Sequence, residues 1–198
     1  MINLIKIFSG LILGIALAGC ALSKDIIITK SQSERSDIFE EIQEPGPPPN
    51  GWADLKIKAS IKTHLENYYF SESKGSPHGK PEYPFLVNID GQAALWNVKG
   101  RTEVTPECDE NRKRNPEGGE GMRYVLSKKV RLASGLHKLF FGLPGEDYFT
   151  ELNIKLLEGE VNSFEFQPGY RSRRGRETQS FLHGVKKGQV FLNGNLIQ

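Results

Sequence analysis

The chain has 198 residues, a formal net charge of +2, 37 % hydrophobic and 25 % charged residues, and two cysteines. That balance excludes a strongly basic nucleic-acid binder, and the roughly 150 residues left after a leader and a spacer can fold as one domain without a disulfide or metal. Removing residues 1–19, whose one charged side chain is Lys6, leaves a net charge of +1.

Met1 to Lys6 form a short basic start, followed by an apolar run from Ile7 to Leu17 interrupted by Ser9, Gly10 and Gly14. About a dozen apolar residues rising about 1.5 Å each fall short of the roughly 30 Å of a bilayer core, so the run reads as a signal h-region. It leads into Leu17-Ala18-Gly19-Cys20, which resembles the lipobox of bacterial lipoproteins. The resemblance implies that the Cys20 thiol receives a diacylglycerol, that a peptidase cuts after Gly19, and that the new amine is N-acylated. Several acyl chains make a stable anchor, since each buried methylene contributes about 0.8 kcal/mol. Residue 21 is Ala rather than the Asp that retains enteric lipoproteins in the inner membrane. The expected address is the outer membrane, facing the periplasm.

Residues 20–50 read as the lipidated cysteine and a tether. The stretch is polar and ends in Pro45-Gly46-Pro47-Pro48-Pro49-Asn50, where prolines remove donors and favour extended chain. Within it, Asp37 and Glu40 have capping-box spacing, and Ile38 and Ile42 share a helical face, so one or two helical turns are expected.

From Gly51 to Gln198 the pattern is β. Ala53, Leu55, Ile57, Ala59 and Ile61 alternate with polar residues, the signature of a strand with one wet face. Tyr83, Phe85, Val87 and Ile89 repeat it up to Asp90-Gly91, followed by 92–98, which predicts a hairpin. Further strands are predicted at 122–132, 136–143, 150–157 and 161–167, with a C-terminal hairpin of 180–185 and 189–192 around Lys186-Lys187-Gly188. The expected fold is an all-β antiparallel β-sandwich of about eight strands. The run from Val130 to Leu139 and that from Ile154 to Gly159 resemble the strand–turn–strand pattern of PEGA-type and prealbumin-like modules. That resemblance implies a prealbumin- or immunoglobulin-like sandwich and a noncatalytic, envelope-associated role, and it brings no catalytic residues.

His64, His78, His137 and His183 have no His-x-x-x-His spacing and there is no CxxC, so neither a metal nor a catalytic residue is expected. With Cys20 lipidated, Cys108 is the one thiol left in the mature chain, either free or paired between chains. Residues 101–121, rich in charge and ending in Gly118-Gly119-Glu120-Gly121, read as a long loop suited to binding. Arg171, Arg173, Arg174 and Arg176 crowd one short segment and suit an anionic partner, because guanidinium forks match carboxylate and phosphate.

The expected function is that of a membrane-anchored, noncatalytic envelope module whose partners are the membrane, through its anchor, and an envelope protein or anionic glycolipid. No nucleic acid is expected, and the lipid on Cys20 is the expected covalent group in place of a cofactor. The alternative is a ligand carrier or enzyme whose site folding assembles from distant residues such as His64, His137, Asp147 and Tyr148.

Overall fold

The computed structural model describes residues 23–43, 46–172 and 178–198; the leader, Cys20, Arg173, Arg174 and Arg176 lie outside them. Residues 23–30 are helical (α1). Ten strands follow among the described residues: β1 Phe39–Glu41, β2 Trp52–Thr63, β3 Glu82–Ile89, β4 Gln92–Thr105, β5 Gly119–Ala133, β6 Gly135–Leu143, β7 Tyr148–Leu156, β8 Val161–Tyr170, β9 Val185–Leu192 and β10 Asn195–Leu196. Their hydrogen-bonded order is β10-β9-β8-β2-β5-β4-β3-β6-β7, and β1 pairs separately with β5.

The all-β class holds. Instead of two separate antiparallel sheets, the strands form a continuous, curled, mixed sheet, a half-barrel, in which β2 and β8 run parallel. One long strand explains the continuity. Gln92–Lys99 of β4 pair with β3, and Gly100–Thr105 of the same strand pair with β5. Gly100 sits at the changeover, where a Cβ would collide with the Tyr124 and Met122 side chains, so only glycine lets the bend close over Tyr124.

The alternation read from the sequence sorts residues as expected. Leu55, Ile57, Ala59 and Ile61 of β2 are buried while Lys56 and Lys58 are exposed. The curl then brings the two halves together over one core. Phe141 of β6 lies 5.5 Å and 4.8 Å, centroid to centroid, from Phe164 and Phe166 of β8, and Tyr148 of β7 lies 5.3 Å from Phe166.

Three expectations are corrected. The loop expected over 101–121 shrinks to 106–118, because β4 runs on to Thr105 and β5 starts at Gly119. This ladder is charged on its outer side, with Arg123 bridging to Glu103, so hydrophobic alternation did not reveal it. The C-terminal turn is not at Lys186-Lys187-Gly188, which lie within β9, but at Asn193-Gly194, both with positive φ. Residues 180–185 begin with a 3₁₀ turn, Phe181–His183, capped by Ser180.

The expected spacer is also partly built into the domain. Ile27 of α1 is buried against Leu86 and Phe140 on the outer face of β3 and β6. Glu34 and Arg35 donate backbone hydrogen bonds to the Gly91 carbonyl. Phe39, Glu40 and Glu41 form β1 against Leu132, Arg131 and Val130, where capping-box spacing had suggested helix. Tertiary pairing with an open edge of β5 outweighs a weak local helical preference.

Candidate functional site

Two places on the molecule gather chemistry. The first is built where β2 ends. Thr63 and His64 are buried, and the chain leaves for a loop, 64–81, that returns beside its own start. Thr63 Oγ1 accepts a 3.1 Å hydrogen bond from Gly79 N–H. Gly79 has φ +68°, and a Cβ there would overlap the Glu66 backbone nitrogen. Glycine at 79 therefore allows the returning chain to lie on the outgoing one, which sets His78 beside His64.

His78 Nδ1 lies 3.2 Å from His64 Nε2 and 3.1 Å from Glu72 Oε1, and His64 Nε2 lies 3.4 Å from the same carboxylate oxygen. Each group has a second partner that orients it. His64 Nδ1 is 2.9 Å from the Leu65 carbonyl, which can only accept, so we assign the proton to Nδ1 and a lone pair to Nε2. His78 Nε2 is 2.9 Å from Glu146 Oε1, which by the same logic leaves Nδ1 with the lone pair. Ser76 Oγ donates to Glu72 Oε1 at 2.6 Å. Glu146 is buried in the 3₁₀ turn Pro144–Glu146, and its other oxygen accepts from Val185 N–H at 2.8 Å. Burial opposes a charged His78, but the Glu146 and Glu72 carboxylates outweigh it and hold its pKa above the ordinary histidine value. Tyr68 and Tyr69 pack on the His64 ring, and a cleft of about 540 Å³, lined by Tyr69, Phe70, Lys74 and Lys80 among others, opens onto Glu72 and His78.

The second place is a groove of about 720 Å³ on the outer face of β2, β5 and β8. Lys58, Ser60, Val125, Ser127, Glu165 and Gln167 line it along the strands, and Asn115, Pro116 and Glu117 line it from the β4–β5 loop. One end is a charge network. Arg123 donates to both oxygens of Glu117 at 2.9 and 2.6 Å and to Glu103 at 2.8 Å. Tyr170 O–H donates to Glu117 at 2.6 Å. Burial opposes ionisation of Glu117, yet Arg123 and Tyr170 outweigh it and keep its carboxyl below the ordinary glutamate value. Beneath the loop, Lys62 is only 1 % exposed and donates to Thr105 Oγ1 and to the Glu117 and Gly119 carbonyls at 2.9, 2.8 and 2.7 Å. Burial pushes its pKa down against the pull of Glu103 and Glu117.

The residues singled out in the sequence are distributed unevenly over these places. Arg171 is exposed and its Nε donates to the Val185 carbonyl at 3.2 Å. Cys20, Arg173, Arg174 and Arg176 fall outside the described residues. The flanks of the arginine segment are pinned, since Ser172 pairs with Gln179, and Gln179 lines the groove. His64 enters the first site. His137 instead bonds Asp90 Oδ2 at 2.7 Å and the Ala133 carbonyl at 2.8 Å, Asp147 pairs with Lys24 at 3.7 Å, and Tyr148 belongs to the aromatic core. Cys108 is free and exposed. Sequence reasoning missed Glu72 and His78 as partners of His64, and Glu146 as the partner of His78, because spacings of 8, 14 and 68 residues match no helical or strand motif. Among the described residues, no helix is long and apolar enough to cross a membrane.

Comparison with known proteins finds no matching family model, no similar curated protein and no similar solved structure.

Proposed function

We propose that this protein is a noncatalytic envelope module, anchored through acyl chains on Cys20 in the outer membrane and facing the periplasm, that binds an extended acidic segment of another envelope protein in the groove over β2, β5 and β8. The observation that carries this reading is the juxtaposition of the groove with the pinned flanks of the arginine segment: Gln179 belongs to both. The groove offers apolar contact through Val125, Pro116 and Pro168 and hydrogen-bonding groups through Ser60, Ser127 and Gln167. The segment from Arg171 to Arg176 adds four guanidinium groups within six residues, suited to carboxylates. Packing of β6 and β7 against β8 over one core supports grouping the fold with sandwich-type binding modules such as the prealbumin- and immunoglobulin-like ones.

The test is photocrosslinking in cells from Ser127 and from Gln179, with wild-type arginines and with all four changed to Glu. A protein adduct from both positions, lost on charge reversal, is the expected result. An adduct that is glycolipid, or a protein adduct indifferent to charge reversal, would overturn the acidic-segment reading. Membrane fractionation and mass spectrometry of the N-terminal peptide, wild type against Cys20→Ala, test the anchor separately.

A further inference from the structure

His64, Glu72 and His78 present three donor atoms to one another with no proton assigned between them. The lone pairs of His64 Nε2 and His78 Nδ1 and the oxygen Glu72 Oε1 form a triangle with sides of 3.2, 3.1 and 3.4 Å. Three acceptors facing each other in a site where His64 is buried repel unless a positive charge sits among them. Zinc bound at about 2.0–2.1 Å by nitrogen and oxygen in a tetrahedron requires ligand-to-ligand edges of about 3.3–3.4 Å. The triangle has that size.

From this we propose that His64, Glu72 and His78 form a zinc-binding site, a use of the chain distinct from the groove. The orienting groups are those such a site needs. Glu146 holds His78 through its far nitrogen, the Leu65 carbonyl holds His64 in the same way, and Ser76 holds the carboxylate. Two His nitrogens and one carboxylate oxygen are a borderline donor set that favours zinc over calcium or magnesium. Three protein ligands leave a fourth position, and the cleft lined by Glu72 and His78 gives water or a ligand access to it. The ion ties the end of β2 to the 64–81 loop.

The competing explanation is that a proton does the same work, with His78 doubly protonated between Glu146 and Glu72. Titrating the full chain, purified in detergent without a polyhistidine tag and stripped of metal, with Zn²⁺ against a chromophoric chelator separates the two. The expected result is one tightly held equivalent, with affinity lowered by more than about 100-fold in His78→Gln and in Glu72→Gln, and by about 10- to 100-fold in Glu146→Gln, which touches only the orienting shell. Zinc uptake by the wild type no greater than that of the His64→Gln/His78→Gln double variant overturns the site in favour of the proton. If that variant does not fold, Co²⁺ added to the wild type decides: intense visible absorption of a four-coordinate ion supports the site, and the pale spectrum of hydrated cobalt overturns it.

Discussion

Thr63 Oγ1 accepts a hydrogen bond from the backbone of Gly79, sixteen residues on, and this contact closes the loop that sets His78 against His64. Because Gly79 has φ +68° and its missing Cβ would overlap Glu66, Gly79→Ala should strain the loop twice over. The left-handed conformation alone costs an alanine about 1–2 kcal/mol. Gly79→Ala is therefore expected to destabilise the domain by about 2 kcal/mol or more in urea unfolding, and to weaken zinc uptake by shifting His78. A variant as stable as the wild type would show that the loop relaxes freely.

Lys62 holds the groove's loop from below. Lys62→Met keeps most of the stem volume but leaves the Glu117 and Gly119 carbonyls without the ammonium. A loss of about 1–3 kcal/mol is expected, the cost of unmade buried hydrogen bonds. Hydrogen exchange should localise it, with faster exchange at the amides of Glu117 and Gly118 and little change in β6 and β7.

Removal of Arg123 strands two carboxylates. Glu117 and Glu103 each lose two guanidinium bonds, so Arg123→Met is expected to cost about 2 kcal/mol. Double-mutant cycles with Glu117→Gln should recover part of that loss, since the neutral amide needs no counter-charge.

The same network makes stability depend on acid. Arg123 lowers the pKa of Glu103, and Arg123 with Tyr170 lowers that of Glu117 against the effect of burial. Asp54 has no exposed surface; burial opposes its ionisation, but Arg131 and Lys129 outweigh that and hold its pKa down as well. In the unfolded chain these carboxyls protonate near their ordinary value of about 4, before the folded ones do. Their contribution is thus fully present above about pH 4–5 and is lost as the pH falls through the lower folded values. Urea unfolding as a function of pH should show this acid loss in the wild type and a shallower one in Arg123→Met.

The core itself should respond to Phe141→Ala. Its ring is fully buried between Phe164, Phe166 and Phe85, across the seam where the curled sheet meets itself. A loss of about 3–5 kcal/mol is expected from the deleted ring and the cavity it leaves, read from the urea midpoint.

Much of this architecture was legible residue by residue, because alternation reports which face of a strand is dry. Leu55, Ile57, Phe85 and Val87 carry that signal, and so does the Asp90-Gly91 turn, with φ of +48° and +93°. The second half of β4 was not legible, since from Gly100 to Thr105 no residue is buried, Arg101, Thr102 and Val104 are exposed, and the pairing with β5 is marked by charge rather than by alternation. Nor was the closure of the sheet, which follows from long-range register and from one glycine at a bend. Docking of α1 and β1 was hidden by polar composition, because only Ile27 and Phe39 of that stretch are buried hydrophobic anchors. The His64–Glu72–His78 group was out of reach for the same reason as the sheet's closure: contact is made by a loop returning on itself, and local spacing carries no trace of it.

The packing of α1 has a consequence for how an acylated chain stands on its membrane. Three chain steps separate Cys20 from Ser23, where the described helix starts, and they reach at most about 11 Å. With lipid on Cys20 the protein is on a short leash and cannot swing freely on the 30-residue arm that its polar N-terminal stretch suggests. α1 lies on the outside of β3 and β6, and the groove lies on the outside of β2, β5 and β8, across the core. Under the proposed acylation of Cys20, the leash would turn the helix-bearing side toward the bilayer and present the groove to whatever approaches from the aqueous compartment.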